Sequence, residues 1–194
     1  INALDDASFS YASAAFCVSA SDPTPNITGA TGGTFSSTAG LAIASNGTID
    51  VSASTPGSYN VTYTTNGNCP NSSNTFVTIS ALDDPSFSYE AAVFCGSTSD
   101  PAPNSIATPG GTFSSTAGLA IASNGTIDVS ASTPGTYTVM YTTTGTCPNS
   151  STESITINAL DDASFSYFSA SKPTDAPNGF CVNSTDPTPN ITGA

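Results

Sequence analysis

The strongest constraint on this chain is that it repeats itself at a fixed offset of 78 residues. Residues 32–57 recur letter for letter as 110–135, and Leu4-Asp5-Asp6 returns as Leu82-Asp83-Asp84 and again as Leu160-Asp161-Asp162. This period is too long for one turn of a solenoid, so each copy reads as a small domain and the chain as a row of them. The frame gives units at 1–80 and 81–158 and the opening of a third at 159–194. Arrays of near-identical units span distance or present surface. Catalysis would require one unit to carry a constellation that the others lack.

The same frame suggests a window on a longer array. Ile1-Asn2-Ala3-Leu4 matches Ile157-Asn158-Ala159-Leu160, which closes one unit and opens the next, and residues 186–194 repeat 22–30 letter for letter. The third unit is therefore expected to continue beyond Ala194, because so short a fragment cannot bury enough surface to fold as a sandwich by itself.

The surface chemistry excludes several partners. Lys172 is the only basic residue, His and Trp are absent, and the net charge is -13. Such a surface repels nucleic acid and anionic lipid, and no apolar run is long enough to span a bilayer. Charged residues make up only 8% of the chain, so Ser, Thr, Asn and Gly supply most of the polarity. Disorder is the competing reading of that composition, but the apolar residues alternate as half-buried strands require.

Tyr59, Val61 and Tyr63 alternate with polar neighbours, and Tyr137, Val139 and Tyr141 repeat the pattern. Further strands of the first unit are expected at 8–13, 16–19, 26–29, 33–37, 41–44, 48–52 and 74–79. Asp22-Pro23-Thr24-Pro25, Asn46-Gly47 and Pro56-Gly57 punctuate them, and Asn46-Gly47 predicts a type I′ hairpin turn. Many short strands without helical periodicity indicate an all-β, antiparallel sandwich. Phe9, Tyr11, Phe16 and Phe35, with their copies, are core candidates.

Cys17 and Cys69 lie 52 residues apart, as do Cys95 and Cys147, and Cys181 takes the first-cysteine position of the third unit. One pair per unit suggests one disulfide per domain, Cys17 with Cys69 and Cys95 with Cys147, tying the ends of a small sandwich. The partner of Cys181 is expected beyond Ala194. Buried free thiols are the alternative, while zinc falls short of four ligands. Paired cysteines imply an oxidising, extracellular setting.

Phe-Ser-Tyr near each unit start, Asp22-Pro23-Thr24-Pro25-Asn26, Gly32-Gly33-Thr34-Phe35-Ser36, the Pro-Gly-x-Tyr-x-Val-x-Tyr core and Cys69-Pro70-Asn71-Ser72-Ser73 together resemble the tandem Ig-like repeats of giant secreted surface adhesins of Bacteroidota, of the kind linked to gliding motility and type IX secretion. The resemblance spans essentially the whole chain. It implies Ig-like sandwiches arranged end to end as a non-enzymatic stalk or filament, with any surface or glycan ligand held by domains outside this segment. Neighbouring repeats are then the principal partners, and other copies of the filament are further candidates. The alternative is a self-assembling extracellular fibre subunit completed by strand exchange between chains. Tyr59 and Tyr137, each following a Pro-Gly turn, are similar to the tyrosine corner of Ig sandwiches.

An enzyme is disfavoured by inventory, since hydroxyl nucleophiles have no His to activate them and no Arg clamps an anion. Isopeptide stiffening needs a Lys in each unit, and the two complete units have none. The pairs Asp5 and Asp6, Asp83 and Asp84, and Asp161 and Asp162 fall at unit junctions, where carboxylates are candidate calcium bridges. A solvated acidic linker is the competing account. Leu4, Leu82 and Leu160 are expected to wedge at these junctions and stiffen a rod. Asn-x-Ser/Thr sequons, among them Asn26, Asn46 and Asn71, arise readily in such a composition. The third unit departs at one place: twelve residues separate Tyr167 from Phe180 where four separate Tyr11 from Phe16, and the insertion holds Lys172. Its Pro, Gly and Asn content marks an exposed loop.

Overall fold

The alternation around Tyr59 becomes one long strand with a wet and a dry face. In the computed structural model, which describes residues 2–167 and 189–191, the first unit holds eight strands. They are β1 (Phe9–Ser10), β2 (Ala15–Cys17), β3 (Asn26–Ile27), β4 (Thr34–Ser37), β5 (Ala42–Ile43), β6 (Ile49–Asp50), β7 (Gly57–Thr64) and β8 (Ser72–Ser80). The second unit repeats them as β9 (Phe87–Ser88), β10 (Val93–Cys95), β11 (Ser105–Ile106), β12 (Thr112–Ser115), β13 (Ala120–Ile121), β14 (Ile127–Asp128), β15 (Gly135–Thr142) and β16 (Ser150–Asn158). No helix occurs among the described residues.

Each unit builds a four-stranded sheet, in the order β2-β8-β7-β4 and then β10-β16-β15-β12, faced by two short ladders, β1-β3 with β5-β6 and β9-β11 with β13-β14. The two-residue period sends Tyr59, Val61 and Tyr63 inward with Val77 and Ile79, where they pack against Phe35, Ile49 and Val51. The second interior is the same set shifted by one period: Tyr137, Val139, Tyr141, Ile155, Ile157, Phe113, Ile127 and Val129. Each cluster is closed around its own unit. The fold is all-β and Ig-like, two layers of sheet over a shared core.

Two details depart from the sequence reading. The sheet is not wholly antiparallel, because β2 runs parallel to the end of β8, pairing Cys17 with Ser80, and β10 does the same with Asn158. The hairpin at Asn46-Gly47 is also not a two-residue type I′ turn. The Gly47 amide donates to the Ala44 carbonyl at 2.9 Å and the Ala44 amide donates to the Thr48 carbonyl at 2.9 Å, which shifts the turn by one residue and leaves Gly47 at φ 87°. This is the three-residue loop with glycine in the left-handed position. A Cβ at Gly47 would meet the Pro25 ring at 2.6 Å and Phe35 at 2.8 Å, so packing as well as backbone conformation demands glycine there.

Beyond Asn158, β17 (Phe165–Tyr167) pairs antiparallel with β18 (Pro189–Ile191), placing Phe165 opposite Ile191 as Phe9 stands opposite Ile27. The third copy therefore opens with the same ladder as the first. Cys181 and the insertion containing Lys172 lie outside the described residues.

Candidate functional site at the repeat junction

The two cysteines of a unit sit at opposite ends of its sandwich. Cys17 lies beside Ser80 at the last residue of β8, and the Val18 amide donates to the Ser80 carbonyl at 3.0 Å. Cys69 precedes the first residue of β8 and accepts from the Asp5 amide through its carbonyl at 2.8 Å. The eight rises of about 3.3 Å along β8 separate the two ends by roughly 26 Å, whereas bridged cysteines need Cα atoms within about 7 Å.

The expected pairing of Cys17 with Cys69 and of Cys95 with Cys147 is therefore wrong. Cys17 bonds Cys147 of the following unit, with Cα atoms 5.5 Å apart and a sequence separation of 130. That separation is the 52-residue spacing plus one 78-residue period, so a constant spacing could not distinguish a bond inside each unit from one staggered across the junction. Cys69 and Cys95 are left free in the described chain, Cys95 exposed and Cys69 half-buried.

The bond is framed by backbone from both units. The Asp83 amide donates to the Cys147 carbonyl at 2.9 Å, which folds the Cys-Pro-Asn-Ser-Ser loop against the start of its own unit. The loop is held again by Asn149, whose Nδ2 donates to the Asp83 carbonyl at 3.3 Å, and by Ser151, whose hydroxyl donates to the Pro85 carbonyl at 2.7 Å. Across the junction, Cys147 Sγ lies 3.9 Å from the Ser80 carbonyl oxygen and Cys17 Sγ lies 3.4 Å from that of Thr146. Cys147 is 1% exposed.

The acidic pairs do not converge. Asp6 Oδ1 accepts from the Ser8 amide at 2.9 Å and from its hydroxyl at 2.5 Å, a local turn that Asp84 with Ser86 and Asp162 with Ser164 repeat. The serine hydroxyl, then the serine amide, holds each of these carboxyls below the usual range. Asp5 turns elsewhere and accepts from the Thr65 hydroxyl at 3.0 Å, while Asp83 Oδ2 is buried without a hydrogen-bond partner. Asp161 lies beside Leu160 at the far end of the second unit. No three His, Cys, Asp or Glu side chains gather into a metal-sized group among the described residues.

The tyrosines are bound to backbone. Tyr59 Oη donates to the Thr55 carbonyl at 2.6 Å and Tyr137 Oη to that of Thr133 at 2.6 Å. Tyr11 Oη reaches the Gly47 carbonyl at 2.6 Å and Tyr89 Oη that of Gly125 at 2.6 Å, with burial pushing both phenols up to about 12. Phe9 meets Phe35 edge to face at 5.1 Å, as Phe87 meets Phe113. These rings are occupied inside the sandwich rather than presented as a platform.

Among known proteins, no family model and no curated sequence matches this chain. Several solved structures are similar to it. They include the protocadherin GammaB4 extracellular domain, at 12% identity and TM-score 0.41 over 98% of this chain and 41% of that one. Sidekick-1 immunoglobulin domains 1-4 match at 12% identity and TM-score 0.43 over 78% and 48%, and mouse cadherin-23 EC22-24 at 14% and 0.37 over 84% and 69%. The chain thus spans less than half the length of the first and second of these.

Proposed function

We propose that this chain is a non-enzymatic structural segment of an extracellular surface filament or adhesin, with residues 1–80 and 81–158 as successive Ig-like units and the residues from 159 opening a third. The observation that carries the reading is the staggered Cys17–Cys147 bond, which joins the end of one sandwich to the beginning of the next. A connection with a covalent link beside the main chain resists bending and pulling in a way that a single linker does not. The duplicated interiors point the same way, because equivalent apolar residues build both cores. A disulfide also fits an oxidising, extracellular compartment. Assignment to a bacterial adhesin of the gliding type rests on the motif resemblance alone.

Small-angle scattering of the chain, oxidised and then reduced, tests this. The expected result is an elongated particle that becomes more flexible when the disulfide is reduced. A compact side-by-side arrangement of the two sandwiches would refute the spacer reading.

A further inference from the structure

Among the described residues, the end of the second unit carries the same receiving groups as the junction just described. A pocket there is lined by Cys95, Ser97, Asn158, Ala159, Leu160 and Asp161. Shifted by one period, these six are Cys17, Ser19, Ser80, Ala81, Leu82 and Asp83, which include the groups that frame Cys147. At the closed junction the loop carbonyl takes the Asp83 amide and the loop sulfur lies against the Ser80 carbonyl. Asp161 and Asn158 stand in those places in the pocket.

We infer that this pocket receives the Cys-Pro-Asn-Ser-Ser loop of the repeat that Leu160 opens, and that Cys95 bonds the cysteine of that loop, 130 residues further along the chain. The inference deepens the spacer reading by making the staggered bond a rule of the array. Each early cysteine closes on the late cysteine of the next unit, and Cys69 is by the same rule the half that answers a preceding unit. The chemistry is thiol–disulfide exchange with a low-molecular-weight disulfide such as oxidised glutathione. The loop thiol first forms a mixed disulfide and releases one glutathione. The Cys95 thiolate then attacks the loop sulfur and expels the second, so two thiols are oxidised and one disulfide is reduced.

Peptide mapping of the natural protein, after blocking free thiols and without reduction, decides the bond. The expected product links the Cys95 peptide to the Cys-Pro-Asn-Ser-Ser peptide of a later repeat and not to that of Cys69, in protein that runs as a single chain on a non-reducing gel. Alkylated Cys95, or a reducible ladder of chains joined through Cys69 and Cys95, would overturn the assignment. The pocket is tested separately on the 194-residue chain. A synthetic peptide with the sequence of residues 145–151, supplied as its glutathione mixed disulfide, should be captured by Cys95 at least about tenfold faster than a scrambled peptide of the same composition, and not at all by C95S. Equal rates for the two peptides would overturn the pocket. Neither result alters the scattering profile that tests the spacer reading, so the two can fail independently.

Discussion

Cys69 and Cys147 occupy the same place in two copies of one sandwich, yet Cys147 is buried and bonded while Cys69 is half-buried and free. Their local surroundings are alike: each carbonyl accepts from the aspartate amide that opens its unit. Among the described residues, a unit stands in front of the second copy only. The interiors tell the opposite story, since Tyr59, Val61 and Tyr63 are as buried as Tyr137, Val139 and Tyr141 although the described residues place a neighbour in front of one unit and not the other. The core is thus a property of the unit, and the state of its ends is a property of the array.

The largest effect should come from breaking the one bond that distinguishes the two units. Closing a 130-residue loop contributes about 5 kcal/mol through the unfolded state. In the 194-residue chain, C17S or C147S should lower the denaturant midpoint accordingly, whereas C69S should leave it unchanged. Equal losses for C69S and C147S would mean that the ends are not distinguished by their neighbours.

Core truncation should affect the two units alike. Ile79→Ala and Ile157→Ala each remove a fully buried side chain at equivalent positions and should cost about 3 kcal/mol apiece. Urea unfolding of each variant measures this. A difference larger than about 1 kcal/mol would show that the neighbouring unit reaches into the core.

The buried phenols give a smaller, pH-dependent term. Tyr11 and Tyr89 are raised from 10.0 to about 12 by burial, so the folded chain holds these protons where the unfolded chain has begun to lose them. Their contribution is complete below pH 10 and should be lost as the pH rises towards 12. Tyr11→Phe and Tyr89→Phe should each flatten part of that alkaline decline in a thermal-melt series, and an unchanged slope would remove the phenols from the account.

The smallest effect is expected where the copies differ on the wet face. Phe76 is exposed and its counterpart is Ser154, so Phe76→Ser should change stability by less than about 0.5 kcal/mol. A larger loss would reveal a contact that the second unit lacks.

Much of this was legible in the letters. The 78-residue offset marked which positions are equivalent, and the alternation around Tyr59 and Tyr137 marked the long strands and their dry faces, because side-chain direction in a strand follows a two-residue period. The eight strand positions of the first unit could be located from punctuation by Gly, Pro and Asn. The exact hairpin at Asn46-Gly47 could not, since the turn is set by how Gly47 packs against Pro25 and Phe35. The parallel placement of β2 beside β8 was likewise unreadable, because strand direction depends on which neighbour a short segment finds in space.

The cysteine pairing divides the two kinds of information most sharply. A repeated spacing fixes which positions are equivalent, and the sequence by itself determined that much, together with the all-β class and the composition of each core. It could not say whether equivalent cysteines close within a unit or across a junction, because both patterns repeat with the same period. The tertiary structure decided it through one geometric fact: the length of β8 carries Cys17 to the end of the sandwich farthest from Cys69 and brings it within bonding distance of Cys147.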